Sequence, residues 1–236
     1  MEVTYISHSG FLLEWQDCDW LFDYCQGPLP RGNSGKPLFV FVSHKHGDHF
    51  SPEIFSIEGY SEICYILSQD TRRQMKQFPH IEHVHFLKAG ETLRLPVKNS
   101  GSCLDIRTLP STDCGIAFLV TYEGKTIYHA GDLNWWVWKG ETKQYNNNMT
   151  ANFLKYTKPL EGLKLFAAFL PLDPRQEDWY SKGMVHVLET AQVSHAFPMH
   201  FWKDFSVIDK FLNSPEGTPY RNQTVRLTKE GQKFYF

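Results

Sequence analysis

Apolar and polar positions alternate in short runs along most of this chain. Leu38-Phe39-Val40-Phe41-Val42 is a continuous apolar run between Pro37 and Gly47. Such a run predicts a strand buried on both faces. Similar patterns predict strands over residues 3–6, 11–15, 20–23, 63–67, 83–87, 92–95, 104–109, 115–122, 126–130, 164–170, 196–199, 224–228 and 233–236. Helices are expected over 70–78, 149–157, 186–195 and 205–213. A short helix is expected from Ser51, a suitable N-cap, with Pro52 at its first position. Gly and Pro content marks 27–35 as a loop, and Asn146-Asn147-Asn148 as a break before a helix. There is no repeat, low-complexity tract or composition break. Strands with interspersed helices then imply one layered α/β domain over 1–236.

Composition narrows the classes. The 236 residues are 42% hydrophobic and 15% aromatic, enough for a sizeable core and too much for disorder. A net charge of -2 gives no basic nucleic-acid footprint, so a nucleic-acid partner is not favoured. No apolar stretch reaches the length of a membrane span. Met1 to Ile6 enters a strand pattern directly, with no basic or apolar leader, so secretion is not expected. Cys18, Cys25, Cys64, Cys103 and Cys114 are odd in number and scattered, as expected for reduced thiols in a cytoplasmic protein. Cys114, like the others, reads as a small packed hydrophobe.

The chemistry sits just after the apolar run. Ser43-His44-Lys45-His46-Gly47-Asp48-His49 places four metal-ligand side chains in six residues, on the loop leaving a strand. Imidazole nitrogen with carboxylate oxygen suits Zn, Mn or Fe. Two other segments end strands in the same way. Thr126-Ile127-Tyr128-His129-Ala130-Gly131-Asp132 presents a carboxylate at a Gly turn, and Phe197-Pro198-Met199-His200-Phe201-Trp202 presents a histidine. Taken singly, the first is an ordinary turn and the second an ordinary core histidine.

As a set, in this order, H-K-H-G-D-H, Y-H-A-G-D-L-N-W and P-M-H-F-W resemble the metallo-β-lactamase superfamily. The resemblance covers nearly the whole chain, and it is nearest to the compact lactonase-like hydrolases of the L-ascorbate phosphate lactonase type. It implies a four-layer αββα sandwich and one or two divalent metal ions per chain. His44 and His46 would hold the first ion. Asp48, His49 and His200 would hold the second, with Asp132 bridging. A water or hydroxide between the ions would attack the substrate, and Asp48 could orient it. The pattern departs from the family at one place. No histidine stands in Leu109-Pro110-Ser111-Thr112-Asp113-Cys114-Gly115-Ile116, where a third ligand of the first ion is expected. Asp113 could replace it. Alternatively the site is mononuclear on Asp48, His49, Asp132 and His200, or His8 reaches in from its turn. The first of these is preferred.

Around this set, His8 in its Ser-His-Ser-Gly turn is expected beside the substrate or facing solvent. His129 should pack behind the ligands, and Lys45 should be solvated. His80, His83 and His85 read as surface, and His186 and His195 as helical and remote. Trp135 or Trp136 should wall a pocket and Trp138 join the core. Arg175, in Asp173-Pro174-Arg175-Gln176, is the candidate for gripping a substrate anion. The expected activity is hydrolysis of an ester, lactone or phosphoester bond in a small anionic molecule, such as a phosphorylated sugar or lactone. An RNase Z-like nuclease or phosphodiesterase, or a metal-binding member without turnover, are the rival readings.

Overall fold

The computed structural model describes residues 1–32, 35–98 and 100–236. Asn33 and Ser34 of the expected 27–35 loop lie outside the described residues. The strands are β1 (Glu2–Ser7), β2 (Gly10–Glu14), β3 (Asp19–Phe22), β4 (Pro37–Val42), β5 (Glu62–Ser68), β6 (Val84–Leu87), β7 (Thr92–Pro96), β8 (Cys103–Pro110), β9 (Ile116–Tyr122), β10 (Lys125–His129), β11 (Lys164–Pro171), β12 (Gln192–Met199) and β13 (Lys233–Tyr235). They form two sheets, ordered β13-β1-β2-β3-β4-β5-β6 and β12-β11-β10-β9-β8-β7. The first is parallel from β3 to β6 and the second from β10 to β12.

β4 shows why the apolar run is continuous: all six of its residues are buried. Alternate side chains of a strand point to opposite faces. Phe39 and Phe41 enter the core between the sheets, where Phe41 stacks on Phe22 at 4.5 Å. Leu38, Val40 and Val42 face outward, against Ile54 and Met75. Those two residues belong to the short turn Pro52–Ser56 and to helix α1 (Arg72–Met75). Helices α2 (Lys143–Thr157) and α3 (Lys182–Thr190) pack on the second sheet. α4 (Ser206–Asn213) buries Val207, Ile208, Phe211 and Leu212, the apolar face of an amphipathic helix. The result is the expected α/β sandwich.

Four boundaries differ from the sequence pattern. The 70–78 helix shrinks to one turn, α1. The Asn triplet lies inside α2 instead of before it. Thr142 caps that helix by accepting from the Tyr145 N–H, and Asn146 hydrogen bonds both backbone groups of Trp138, so tertiary contacts offset its low helix propensity. The 186–195 helix is cut at Thr190, because parallel pairing with β11 draws Gln192 onward, His195 included, into β12. Residues 224–228 form only a single bridge, Thr224 to Ala196, because no further ladder develops there. Among the described residues no helix is long and apolar enough to cross a membrane.

Candidate metal centre

Seven chain segments meet at one edge of the two sheets. They are the β1–β2 turn, the ends of β3, β4, β10, β11 and β12, and the β8–β9 loop. Their histidine and carboxylate atoms form two groups of four, each with all ligand atoms within 4.8 Å of one another. His44, His46, Asp113 and Asp132 make the first group. His8, Asp48, His49 and His200 make the second.

Asp132 stands between them. Its Oδ1 lies 3.1 Å from His49 Nε2 and 3.2 Å from His200 Nε2, while its Oδ2 lies 3.5 Å from His44 Nε2. These are close approaches without hydrogen-bond alignment, for Asp132 Oδ1 and the three Nε2 atoms are buried and have no hydrogen-bond partner among the described residues. Buried polar atoms are rarely left so, and unsatisfied ones need a ligand or an ion to account for them. Donors on one ion at about 2.0–2.2 Å are roughly 3.0–3.5 Å apart when adjacent. The residues therefore fit a pair of metal ions sharing the Asp132 carboxylate.

The other ring nitrogens explain how the donors are aimed. Asp23, at the end of β3, is fully buried. It accepts from Ser43 N–H at 2.7 Å, Ser43 Oγ–H at 2.6 Å and His49 Nδ1–H at 2.8 Å. With its proton committed to Asp23, Ser43 Oγ accepts from His44 Nδ1 at 2.9 Å. Asp173 accepts from His200 Nδ1 at 3.0 Å. Each of these histidines thus commits an Nδ1–H to its support and turns Nε2 toward Asp132, where the lone pair would serve a bound cation. His129 lies beneath: Gly131 N–H donates to its Nδ1, and its Nε2 donates to the Ser9 carbonyl.

The β8–β9 loop reaches the first group by glycine. Gly115 has φ +67°, and a Cβ there would sit 2.0 Å from the Ser43 carbonyl oxygen. That close approach lets Ile116 N–H bond to Ser43 O and brings Asp113 Oδ2 to 3.5 Å from His46 Nδ1. Gly131 plays the same part before Asp132, since its Cβ would collide with Ser43 Cβ at 2.6 Å.

Charge is balanced across the centre. Burial would raise the Asp132 carboxyl, but His49, His200 and His44 outweigh it and hold it well below the usual range. Burial would lower His49, but Asp132 and Asp23 push it well above. Burial, then the neighbouring His49, lowers His44. Burial would also raise Asp23 and Asp173, yet the histidines around Asp23 bring it down, and His200 with Arg175 hold Asp173 at about 2. The carboxylates are therefore ionised at neutral pH, and His49 would release a proton to take a cation.

A cleft of about 260 Å³ opens over the centre. Asp113, Asp132, His46, Asp48 and His200 form its floor, and Trp136, Trp138, Tyr145, Met149 and Arg175 its walls. Arg175 is held by Nε and Nη2 on the Asp173 carboxylate. Trp136 anchors to the Asp132 carbonyl through Nε1 and stacks parallel to Trp138.

Of the two tryptophans expected at the pocket, Trp136 lines the cleft and Trp135, the candidate for substrate contact, does not: it stacks on Phe153, and its Nε1 bonds Thr150. Trp138 lies at the cleft, not in the core. The chain bends tightly after Asp132, with Val137 N–H bonded to Trp135 O, so the pocket receives Trp136 and Trp138. His8 is fully buried within the second group and does not line the cleft. Cys114 Sγ lies 3.7 Å from His46 Nε2, nearer the centre than a filler role implies. Lys45 is exposed, and His186 and His195 lie away from the centre. Sequence reasoning missed Asp23, Ser43 and Asp173 as supports. Their one available signal is a polar residue closing an apolar strand.

The sequence matches the Beta-lactamase superfamily domain over residues 2–146. A UPF0173 metal-dependent hydrolase from Desulforamulus reducens is 32% identical over 143 residues, covering 56% of this chain and 62% of that protein. Another, from Heliobacterium modesticaldum, is 28% identical over 236 residues, covering 89% and 86%. The match spans 62% of the length of the first curated relatives. Among solved structures, Igni18, a metallo hydrolase from Ignicoccus hospitalis, aligns with a TM-score of 0.66 at 16% identity. That alignment covers 100% of this chain and 98% of the other. At such identity the likeness is one of fold.

Proposed function

The chain belongs to the metallo-beta-lactamase superfamily, and from that premise we propose that it is a metal-dependent hydrolase of small anionic esters, lactones or phosphoesters. The observation that carries this reading is the Asp132 carboxylate, which turns one oxygen to His44 and the other to His49 and His200, whose Nε2 atoms have no hydrogen-bond partner among the described residues. When bound, a pair of divalent ions supplies Lewis acidity and a water nucleophile at neutral pH. In this reading His44, His46, Asp113 and Asp132 would hold one ion, and Asp48, His49, His200 and Asp132 the other.

The chain's own residues define what else happens in the cleft. Asp48 is ionised well below the usual carboxylate range, first through its contact with His8, and it faces the cleft floor. It is placed to orient an attacking water and accept its hydrogen bond. Arg175 keeps Nη1 free of Asp173 and can take a substrate carboxylate or phosphate oxygen. Trp136 and Trp138 offer a flat wall to the apolar part of the substrate. A volume of about 260 Å³ is below the range of about 300–1,000 Å³ that holds drug-sized ligands. It suits a lactone or a short sugar phosphate, and a net charge of -2 offers no basic nucleic-acid footprint, so the lactonase-like reading is preferred over a nuclease.

The test is metal content by elemental mass spectrometry, joined to hydrolysis of a lactone, a nitrophenyl ester and a nitrophenyl phosphodiester. About two metals per chain are expected, falling toward one in Asp113→Ala, with turnover abolished by chelation and restored by metal. Turnover that survives metal removal, or a chain that takes up no metal, would overturn the reading.

A further inference from the structure

We propose that His8 is itself a donor to the second metal position, closing it with protein atoms and leaving the first position as the open, exchangeable one that meets substrate. This rests on the metal-dependent reading above and deepens it.

A neutral imidazole always carries one N–H and one lone pair, and a buried one satisfies at least one of them. His8 is fully buried, yet among the described residues neither Nδ1 nor Nε2 has a hydrogen-bond partner. Its Nε2 lies 3.5 Å from Asp48 Oδ2, too far for a hydrogen bond. That separation falls in the roughly 3.0–3.5 Å range expected of adjacent donors on one ion at about 2.0–2.2 Å. It equals the His44–Asp132 spacing of 3.5 Å in the first group.

The backbone holds the ring there at a cost. His8 has φ +52°, in the left-handed region, and its carbonyl accepts from His200 N–H at 3.2 Å. His200 itself has φ +64° and Trp202 φ +53°. Strain of this kind persists where the surroundings over-determine it and collects at ligand sites. The imidazole is clamped between the rings of His200 at 4.3 Å and Trp202 at 4.2 Å. It cannot swing to solvent for a substitute partner.

With His8 counted, the two groups differ in kind. With Asp132 shared, the second offers three imidazoles and two carboxylates, and only Asp48 among them is incompletely buried. The first offers two imidazoles and two carboxylates, with His46 and Asp113 exposed. The position with more donors and deeper burial is the closed one, and the position whose donors meet solvent is the one that exchanges its ligands.

The test uses the full chain, stripped of metal and titrated with Zn²⁺ against a chromophoric chelator. Wild type should show a tight and a weak zinc. His8→Asn, a residue that tolerates the left-handed backbone, should weaken the tight zinc by about 100-fold or more. It should leave the weak one within about twofold and the metal-free Tm unchanged. Asp113→Ala should do the reverse. A measurement needing no variant accompanies it: X-ray absorption of wild type loaded with one zinc should count three imidazoles, from His8, His49 and His200. An unchanged tight class in His8→Asn, a uniform loss of both classes with a lowered metal-free Tm, or two imidazoles in the absorption spectrum would each overturn the proposal. Wild type that takes up no zinc, manganese or iron would instead sink the metallohydrolase reading beneath it.

Discussion

Replacing Asp23 by Asn changes no shape, yet it should disarm a histidine that Asp23 does not share with the cleft. The carboxylate accepts three hydrogen bonds, at 2.7 Å from Ser43 N–H, 2.6 Å from Ser43 Oγ and 2.8 Å from His49 Nδ1. An amide offers an acceptor on one side only. With its oxygen toward Ser43 N–H, its NH₂ meets His49 Nδ1, and the imidazole must move its proton to Nε2. That places a proton where the metal lone pair is needed. With the amide reversed, two donors face each other at Ser43 N–H. Loss of such a support weakens metal affinity by about 10–100-fold, or roughly 1.4–2.7 kcal/mol. A buried donor left unpaired costs about 2 kcal/mol of stability, or roughly 4–8 °C in a chain of this length. Zinc titration against a chelator, with thermal unfolding of the metal-free protein, reads both. A Tm drop with zinc affinity within twofold of wild type would refute the tautomer argument and leave Asp23 a packing residue.

Three further outcomes are expected. Gly115→Ala puts a Cβ 2.0 Å from the Ser43 carbonyl at φ +67°, so it should destabilise by about 2 kcal/mol or more; an unchanged Tm would contradict the close approach. Arg175→Met should raise KM for an anionic ester about 10–100-fold while sparing a neutral analogue, and equal losses on both would remove Arg175 from anion binding. Glu14 faces Glu2 across β1–β2 and is pushed up to about 7, first by burial and then by Glu2. Its folded pKa exceeds its unfolded one, so its stabilisation is whole below about pH 4.3 and drains as pH rises through 7. Glu14→Gln should therefore raise Tm at pH 8 by about 2–4 °C, discounted for solvent screening, and change little at pH 4; a gain equal at both pH values would refute the linkage.

Most strands are legible in the sequence because they carry their own two-residue period or apolar run. So is the group His44, His46, Asp48 and His49, since loop and strand are adjacent in sequence. Asp113 is legible only by default, as the oxygen nearest a missing histidine. The supports are not legible. Asp23 and Asp173 meet His49 and His200 across 26 and 27 residues, and no local pattern encodes such contacts. Helix and strand ends also escape where tertiary pairing overrides propensity, as at Asn146 and His195. The three tryptophans after Asp132 illustrate a different limit. In an irregular turn there is no period to say which ring faces the cleft.

The donors are divided by the seam between the two sheets. His8, His44, His46, Asp48 and His49 come from the first sheet and Asp113, Asp132 and His200 from the second. An ion held by donors of both sheets would then be a rivet through the sandwich, seated only when both layers are closed. Whatever binds the closed form alone stabilises it by mass action, about 2.7 kcal/mol at 100 times Kd. The lifetime of this fold should accordingly track the free metal around it. In a metal-starved cell the layers would part more often, and proteases would clear the protein before a shortage showed in its catalysis.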